Sequence, residues 1–399
     1  MLTTEVRTDP LSYLSQQLDA WRKAGTYQRL RVLQSPCEPV AMFDGKEVIN
    51  LASNNYLGLA NHPKLVEAAV AAAKKYGAGS GAVRTISGTM SLHMELEEKI
   101  ARFKKSEACV VFQSGFAANA GTVSAVLGPE DHIVSDQLNH ASIIDGARLS
   151  KAKIHVFPHR DTDAAEAVLR DLADKPGHKL LITDGVFSMD GDIAPLPKLV
   201  DIAEKHGAIM MIDDAHSSGV LGRNGRGTVD HYNVHGRVDI QVGTLSKAIG
   251  VLGGYVCGSR DLIDFLYARA RPFLFSTSHP PSVAASCIAA FDILESEPER
   301  IERLWDNTRY FKAQLTNAGF NTGESETPIT PVIVGEAKKA HEFSRALFDN
   351  GMFATGIGYP TVPEGKARIR TIVTATHTRE MLDRALEILS RVGKQMGIV

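Results

Sequence analysis

The sequence predicts an α/β protein. A large domain is expected to hold a mostly parallel, seven-stranded-type sheet covered by helices, and a smaller C-terminal α+β domain is expected to follow it. Between Glu107 and Gly258, short β-rich runs alternate with segments of helical period. These runs lack a strict in-out polarity, which is typical of parallel strands buried on both faces. At 399 residues, the chain is also too long for one small core.

The strands of the large domain follow from short apolar runs. They are predicted at Ala108–Phe112, His132–Ser135, Lys153–Phe157, Lys179–Thr183, Ala208–Ile212, Ile240–Thr244 and Gly254–Cys257. Helix-period segments such as Ala164–Ala173 and Leu196–Lys205 lie between several of them. Open parallel sheets bind ligands at the carboxyl ends of their strands, so the chemistry is expected there.

The remaining segments divide the chain into three parts. We predict an N-terminal arm with a lead-in strand over residues 1–60, a large domain over 61–290 and a small domain over 291–399. The outer elements are a lead-in strand Val48–Ala52, a long helical region from Pro280-Pro281 through Leu304, strands Pro331–Val334, Phe353–Thr355 and Arg368–Val373, and a helix from Arg379 to about Met396. This order of elements fits a smaller domain packed on the first.

Composition excludes several classes of protein. The net charge of -2 and the pI near 6.7 favour neither nucleic acid nor an anionic membrane as a partner. Residues 1–10 lack the pattern of a secretory signal, and no apolar run approaches the roughly 20 residues that cross a bilayer. The scattered cysteines Cys37, Cys109, Cys257 and Cys287 indicate reduced thiols. We therefore expect a cytoplasmic protein.

The strongest local signal is the segment Gly243–Ala248, which follows a predicted strand and contains Lys247. A single lysine is more often a solvated surface residue. Here small and hydroxylated neighbours place it at a strand end, where a cofactor could reach it. A neutral amine forms an imine with an aldehyde, and hydroxyls can bind a phosphate. The segment predicts that Lys247 holds pyridoxal 5′-phosphate (PLP) as a Schiff base.

A second signal is the acidic pair at the end of Ile209–His216. PLP chemistry needs a carboxylate beside the pyridine nitrogen, because a protonated ring draws electrons from the substrate α-carbon. Asp213 is predicted to fill that role, with His216 near the ring or steadying the carboxylate. An acidic turn or a helix N-cap is an alternative interpretation. A metal site formed by Asp213, Asp214 and His216 is weaker, since no matching ligand cluster stands out elsewhere.

Two further segments could complete a cofactor site. Ser114, Gly115 and Phe116 follow a strand and open a helix, where backbone N–H groups suit a phosphate, although Ser-Gly is also an ordinary helix entry. His140 could stack on the pyridine ring, and a buried histidine without such a role is about as common.

A glycine-rich stretch resembles a nucleotide-binding motif without its spacing. Gly77–Gly81 follows the helical segment Pro63–Tyr76 and lacks the G-x-G-x-x-G pattern, which excludes a dinucleotide fold. It is better interpreted as a flexible loop, with Arg84 available for an anionic group.

Taken together, the motifs resemble those of the α-oxoamine synthases, PLP enzymes of the aspartate-aminotransferase fold type (fold type I). The resemblance covers essentially the whole chain. Its motifs are Asn54–Leu59, Gly88-Thr89 with His93 and Glu97, Asn139–Ser142, Ser188–Gly191, Asp213–His216, Thr244–Lys247 and Ala367–Arg370.

The resemblance implies a role for each matching residue. Lys247 would carry the cofactor and act as acid and base, Asp213 would pair with the pyridine nitrogen, and His140 would stack on the ring. Ser188 and His216 would contact the phenolic oxygen side. The phosphate would be held by Ser114, Gly115, Phe116 and Thr244, and by Ser276 and Thr277 lent across a homodimer interface. Asn54 and Arg370 would bind the amino-acid carboxylate, which a guanidinium matches with two parallel hydrogen bonds.

Within the family, Val83–Thr89, Val186–Asp192 and Arg271–Ser276 are similar to the glycine C-acetyltransferase branch. We therefore expect glycine and acetyl-CoA as substrates. Thr85 and Ser87 depart from that branch, which commonly has an aromatic residue and a cysteine there, and smaller side chains leave room for longer acyl groups. The alternative is an 8-amino-7-oxononanoate synthase, which joins alanine to pimeloyl-CoA and releases carbon dioxide.

Two other classes remain as rival interpretations. A threonine-type aldolase or an aminotransferase would share the PLP site but would use no CoA. A non-catalytic regulator would carry a DNA-binding module or lack the lysine, whereas Lys247 is present and no such module precedes Asn61.

Overall fold

A computed structural model describes residues 9–27 and 29–399 of the chain. Residues 1–8 and residue 28 lie outside the described residues. The first eight residues include the start of the predicted N-terminal arm and most of the segment 1–10 that was compared with a secretory signal. Within the described ranges, no helix is both long and apolar enough to cross a membrane.

The secondary structure alternates as the sequence pattern indicates. The strands are β1 (Val40–Phe43), β2 (Lys46–Asn50), β3 (Ala108–Phe112), β4 (His132–Asp136), β5 (Lys153–Phe157), β6 (Lys179–Asp184), β7 (Ile209–Asp213), β8 (Ile240–Thr244), β9 (Gly254–Gly258), β10 (Ile329–Gly335), β11 (Met352–Phe353), β12 (Thr355–Ile357) and β13 (Ala367–Ile372). The helices are α1 (Ser12–Ala24), α2 (Pro63–Tyr76), α3 (Ser91–Lys104), α4 (Gly115–Val126), α5 (Ala141–Ser150), α6 (Thr162–Asp171), α7 (Leu196–His206), α8 (Thr228–His231), α9 (Arg260–Arg269), α10 (Arg271–Leu274), α11 (Pro281–Ser296), α12 (Glu299–Asn317), α13 (Ala337–Asp349) and α14 (Arg379–Gln395).

The large sheet confirms the predicted fold class. It has seven strands in the order β3-β9-β8-β7-β6-β4-β5. Strands β8, β7, β6, β4 and β5 pair in parallel, and β9 runs antiparallel to β3 and β8. Each predicted strand of this sheet matches an observed one to within one residue at either end.

The sheet is buried because helices cover both of its faces. On β6, Leu180 and Ile182 pack in one apolar cluster with residues of α4, α5 and α9. Leu181, which points to the opposite face, packs with residues of α6 and α7. Successive side chains of a strand therefore enter different cores, which explains why the central strands are rich in apolar residues without a strict in-out alternation.

The long helical region predicted after Pro280 consists of two helices. Helix α11 ends at Ser296, and α12 starts at Glu299, directly after Pro298. Proline disfavours helical geometry in the residue before it and has no N–H to donate, so the helix breaks there. The predicted domain boundary at residue 290 falls inside α11, and the three-part division stays a prediction.

The N-terminal strand shares its sheet with the C-terminal part of the chain. Strand β2 pairs with β1 through the turn at Asp44 and Gly45, both with positive φ, and pairs in parallel with β11. This turn fixes the strand at Lys46–Asn50, two residues before the predicted Val48–Ala52. The predicted strand Phe353–Thr355 is divided between β11 and β12, which belong to different sheets.

A small antiparallel sheet, β10-β13-β12, presents Arg370 toward the large domain. Strand β13 pairs with β10 and β12, and helices α13 and α14 share an apolar core with its Ile369. This arrangement brings a C-terminal arginine to the cavity at the strand ends of the large sheet.

Candidate active site

One cavity lies at the carboxyl ends of the parallel strands. Most of the predicted cofactor residues line it, namely Ser114, Gly115, Phe116, His140, Ser188, Asp213, His216, Thr244 and Lys247. Its wall also contains Ser142, Asp184, Val186, Ala215 and Ser246, to which the sequence alone assigned no role. Because β4, β6, β7 and β8 run in the same direction, segments far apart in sequence meet at this edge.

Lys247 follows β8 on a short turn beside Thr244 and Ser246. The Thr244 hydroxyl donates to the Gly253 carbonyl at 2.8 Å and accepts the Ser246 N–H at 3.3 Å, which fixes the start of the turn. Burial lowers the pKa of Lys247 to about 8, although the negative charge of Asp213 opposes the shift. The neutral amine, which imine formation requires, is therefore far more abundant near neutral pH than in an ordinary lysine.

Asp213 is a buried carboxylate at the end of the central strand β7. Its Oδ2 accepts the Asn119 side-chain N–H at 2.6 Å, and its Oδ1 accepts the Ala215 N–H at 2.8 Å. The neighbouring Asp214 turns away and pairs with the fully buried Lys104, whose Nζ lies 2.7 Å from its Oδ2. The two acids therefore serve different parts of the molecule.

His140 caps helix α5 and borders the cavity. Its backbone N–H donates to Asp184 Oδ2 at 3.0 Å, and its Nδ1 lies 2.7 Å from the Ser142 hydroxyl. Burial, together with the charge of Asp213, raises the pKa of Asp184 well above its usual range. Asp184 is a functional candidate that the sequence missed, because only the parallel pairing of β6 with β7 brings it beside Asp213.

His216 is buried beside Tyr56, a residue of the Asn54–Leu59 motif. The Tyr56 hydroxyl lies 2.7 Å from His216 Nδ1. Burial lowers the pKa of His216 well below its usual range, and the positive charges of Lys247 and Arg370 act in the same direction. Burial raises the pKa of Tyr56, so the pair is neutral at physiological pH.

The N-terminus of helix α4 forms one end of the cavity. Ser114 caps this helix by accepting the Ala117 N–H at 3.0 Å. The amides of Gly115 and Phe116 belong to the first turn, where N–H groups have no carbonyl partner within the helix. A Cβ on Gly254 would lie 2.3 Å from the Ser114 carbonyl oxygen, so a larger residue there would displace the turn. These open amides are suited to a phosphate.

Arg370 and Asn54 meet beside the cavity, as predicted for a carboxylate site. The Arg370 Nε donates to the Ser188 carbonyl at 2.6 Å, and both terminal nitrogens lie 3.3 Å from Asn54 Oδ1. Burial lowers the pKa of Arg370. Since an amide oxygen supplies no negative charge, the guanidinium can still gain by binding an anion.

The structure corrects the expectation that Arg84 is available for an anionic group. Its terminal nitrogens lie 2.8 and 2.9 Å from the two carboxylate oxygens of Glu97, and both side chains are buried. Glu97 is held in turn by the Val111 N–H and the Tyr267 hydroxyl, each at 2.9 Å. The segment Arg84–Gly88 forms a π-helical turn instead of continuing a flexible loop, because this buried ion pair anchors it.

Ser276 and Thr277 do not line the cavity of their own chain. Thr277 forms a β-bridge with Val83, and its carbonyl accepts the Gln113 side-chain N–H at 2.8 Å. The neighbouring Phe275 is 69% exposed. The predicted role of Ser276 and Thr277 at a partner's phosphate stays a prediction.

The residues around the cavity fit PLP. A lysine with a lowered pKa, a buried carboxylate and a helix N-terminus with open amides surround one space of about 210 Å³. These groups match the aldehyde, the pyridine nitrogen and the phosphate of the cofactor. The buried Asn119 Oδ1, which lacks a hydrogen-bond partner within the described chain, lies on the side chain that orients Asp213.

Comparison with known proteins places these features in a family. The profile of aminotransferase class I and II matches residues 46–389. The 8-amino-7-oxononanoate synthase of Symbiobacterium thermophilum is 60% identical over 387 residues, which are 97% of this chain and 99% of that protein. Further relatives that carry the same name are 53 to 59% identical over 97 to 98% of this chain.

Solved structures agree with the family. A high-resolution structure of SPT with PLP is 32% identical, has a TM-score of 0.93, and covers 98% of this chain and 100% of its own. The 8-amino-7-oxononanoate synthase of Francisella tularensis is 29% identical, has a TM-score of 0.74, and covers 87% of this chain and 98% of its own.

These relatives contradict the expected glycine C-acetyltransferase activity. They carry the name of the alternative, and their identity extends over nearly the whole chain. Two of the segments that suggested the acetyltransferase branch make scaffold contacts here. Arg84 pairs with Glu97, and Asp190 pairs with the buried Arg368. Contacts of this kind hold the fold, so a likeness at Arg84 or Asp190 does not by itself identify the acyl substrate.

Proposed function

The chain belongs to the PLP-dependent α-oxoamine synthases of the aminotransferase class I and II family, and from that premise we propose that it is an 8-amino-7-oxononanoate synthase. Its substrates are then alanine and pimeloyl-CoA. The observation that carries the proposal is the identity of 53 to 60% with synthases of that name over nearly the whole chain. The small side chains of Thr85 and Ser87, both exposed on the turn after Val83, also favour an acyl group longer than acetyl.

The structure of the product defines the reaction. In 8-amino-7-oxononanoate the amine lies on the carbon next to a ketone, and a carboxylate ends the chain. Alanine without its carboxylate supplies two carbons, and the pimeloyl group supplies the other seven. The reaction therefore forms a bond between the alanine α-carbon and the thioester carbonyl carbon, and it releases CoA as the thiol and the alanine carboxylate as carbon dioxide.

The residues around the cavity can perform the proton transfers and the orientation that this reaction needs. PLP, when bound, supplies the aldehyde that takes up the amino group and the ring that withdraws electrons from the α-carbon. Lys247 is the base for the α-proton, since its pKa near 8 makes the neutral amine far more available near pH 7 than in an ordinary lysine. Asp213, which Asn119 orients, is the carboxylate assigned to the pyridine nitrogen of PLP.

The carboxylate of alanine is assigned to Arg370 and Asn54. The guanidinium is held by the Ser188 carbonyl at 2.6 Å and by Asn54 Oδ1 at 3.3 Å, so its orientation is set before a substrate binds. When these residues bind the carboxylate of alanine, the position of its α-carbon relative to the thioester is fixed as well. Orientation of this kind is among the larger contributions to enzymatic rates.

We also propose that the enzyme is a homodimer with shared active sites. Ser276 and Thr277 lie outside the cavity of their own chain, on a segment whose Phe275 is largely exposed. The proposal is supported by this placement together with the resemblance to family members whose dimers share residues across the interface. In such a dimer, this segment would reach the neighbouring subunit's phosphate site.

Substrate choice provides the main test of the proposed activity. With PLP-loaded enzyme, the kcat/KM for pimeloyl-CoA with alanine is expected to exceed that for acetyl-CoA with glycine by about 100-fold or more, because the two pairs differ in several methylenes and a carboxylate. Thiol release measures the rates, and mass spectrometry identifies the products. Heptanoyl-CoA, which has the same seven carbons with a methyl group in place of the distal carboxylate, is the matched control. Equal or better turnover of glycine with acetyl-CoA, or of serine with palmitoyl-CoA, would contradict the proposal.

Replacement of the predicted carboxylate ligand should affect substrate binding in particular. Arg370→Lys is expected to raise the KM for alanine about tenfold or more while changing the KM for the acyl-CoA little, since an ammonium cannot make two parallel hydrogen bonds to a carboxylate. Initial rates at varied alanine concentration measure the effect. Arg384→Lys, an exposed position on α14, is the matched control. An unchanged KM for alanine would remove Arg370 from the substrate site.

A further inference from the structure

His159 lies between two carboxylates near the cavity. It follows strand β5, and its Nδ1 lies 3.0 Å from Asp136 Oδ1 while its Nε2 lies 2.7 Å from Asp192 Oδ2. An ionised carboxylate can only accept hydrogen bonds, and a neutral imidazole has only one N–H to donate. Two such contacts at one ring therefore indicate that His159 is an imidazolium.

The two carboxylates belong to the two segments that carry His140 and Ser188. Asp136 ends β4, and its Oδ1 also accepts the Leu138 N–H at 2.8 Å in the turn that leads to His140. We call residues 136–140 the His140 loop. Asp192 closes the turn that contains Ser188, since its carbonyl accepts the Phe187 N–H at 3.1 Å. We call residues 187–192 the Ser188 loop.

Within the described residues, His159 and Arg160 are the cations that contact Asp136 and Asp192, whereas Arg368 and Arg370 contact the Ser188 loop at Asp190 and at the Ser188 carbonyl. The Arg160 backbone N–H donates to Asp136 Oδ2 at 2.8 Å, and its guanidinium lies 3.3 Å from Asp192 Oδ2 and 3.5 Å from Glu326. The φ of Arg160 is +60°, a region that non-glycine residues rarely adopt, so its hydrogen bonds must hold it there. With a neutral His159, the guanidinium of Arg160 would be the nearest compensating charge for three acidic groups.

The surroundings of His159 favour its charged form. The ring packs edge-on against Phe187, with their centroids 4.3 Å apart. Burial alone would lower the pKa of His159, but the hydrogen bonds and negative charges of Asp136 and Asp192 outweigh it and raise the pKa to about 9. The imidazolium therefore persists throughout the physiological range.

We propose that His159 is a positioning residue, whose imidazolium ties the His140 loop to the Ser188 loop and so holds two walls of the cofactor cavity in place. The proposal rests on the roles of His140 and Ser188 at PLP, which belong to the proposed function. It does not depend on which acyl-CoA the enzyme uses. His159 does not line the cavity itself. It acts on the cavity through Asp136 and Asp192.

The proposal fixes the direction of a pH effect. Because the pKa of His159 is higher in the folded protein than in the unfolded chain, the link stabilises the native state fully below the unfolded value and is lost as the pH rises through about 9. Affinity for PLP should therefore fall over this range. Lys247 titrates nearby as well, so the informative quantity is the difference between the wild type and a variant at each pH.

A His159→Gln variant tests the link. Glutamine fills a similar space but carries no charge and cannot donate to both carboxylates in the same way. We expect its dissociation constant for PLP at pH 7.5 to be about tenfold higher than that of the wild type, and the two to converge near pH 10. Equilibrium titration of apoenzyme with PLP measures both. The matched control is His155→Gln, on the strand β5 that leads to His159, where the side chain contacts His132.

Two further variants keep the test decisive if His159→Gln fails to fold. Asp192→Asn breaks the same link from the Ser188 loop and should show the same pH-dependent loss of affinity. His159→Arg keeps a charge that does not titrate in this range, so it should bind PLP more tightly than the glutamine variant and lack the step near pH 9. Wild-type affinity and an unchanged pH profile in His159→Gln, or in Asp192→Asn if only that variant folds, would overturn the proposal.

The readout separates this proposal from the proposed activity. Affinity for PLP is measured without any acyl-CoA, so an error in the assigned acyl substrate leaves the predicted result for His159 unchanged. Conversely, a failed His159 test leaves the substrate panel valid.

Discussion

A Lys247→Ala protein is expected to lose the imine absorbance of the bound cofactor and to lose activity by about 10⁴-fold or more. The loss is large because this one side chain is assigned two functions, covalent attachment of PLP and transfer of the α-proton, and acid–base catalysis alone contributes about 10² to 10⁴-fold. Its position supports both functions, since the turn after β8 places the amine in the same cavity as Asp213. Absorbance spectra and thiol release with alanine and pimeloyl-CoA provide the measurements.

The control for this experiment is Lys198→Ala, an exposed lysine on α7. It should keep both the absorbance band and the activity of the wild type. If Lys247→Ala retained an imine band like that of the wild type, another amine would hold the cofactor, and the assignment of this site would be wrong.

Asp213→Asn is expected to lower kcat by about 10² to 10⁴-fold at saturating PLP, because the site would lose the negative charge that keeps the ring nitrogen protonated. Asparagine has nearly the same shape, but its NH2 group would replace one of the two oxygens that now accept from Asn119 and Ala215. The affinity for PLP must be measured alongside, so that a binding defect is distinguished from a slower reaction.

Asp213→Glu retains the charge and should keep more activity than the asparagine variant. Asp163→Asn, an exposed position on α6, makes the same chemical change away from the cavity. A kcat for Asp213→Asn within about threefold of the wild type would show that the carboxylate is not needed for electron withdrawal.

The large sheet was predictable because most of its strands are buried on both faces, although the edge strand β5 is largely exposed. Segments such as Ala108–Phe112 are apolar throughout, and this pattern is independent of long-range partners. The lysine turn and the acidic pair were found for a related reason, since each directly follows such a strand. Local sequence therefore located the edge of the sheet at which the cavity lies.

Pairs that depend on tertiary contacts were not predictable from local patterns. Tyr56 and His216 are 160 positions apart, and no spacing rule connects them. Asp184 comes beside Asp213 only through the pairing of β6 with β7. Arg84 was assigned to an open loop because the nearby glycines suggested flexibility, whereas Glu97 on the following helix neutralises it in the interior.

The acyl specificity was predicted wrongly for a physical reason. The loop that contains Ser188 is constrained by Arg368, which pairs with Asp190, and by Arg370, which donates to the Ser188 carbonyl. A likeness in a segment that anchors the scaffold therefore does not by itself identify the acyl-CoA. Thr85 and Ser87 lie on the same turn as Arg84 but are exposed. Their small side chains favoured the longer acyl group.

The pairing of β2 with β11 has a consequence for synthesis of the chain. Ile49 lies opposite Met352, so about 300 residues must leave the ribosome before this pair can form. At common translation rates of about 5 to 20 residues per second, β2 waits roughly 15 to 60 s for β11. During that interval Ile49 and Leu51, which are buried in the finished protein, have no core to enter. The nascent chain therefore carries an unpaired edge of β2 for most of its synthesis. Molecular chaperones that bind the chain during this interval would shield that edge from pairing with other chains.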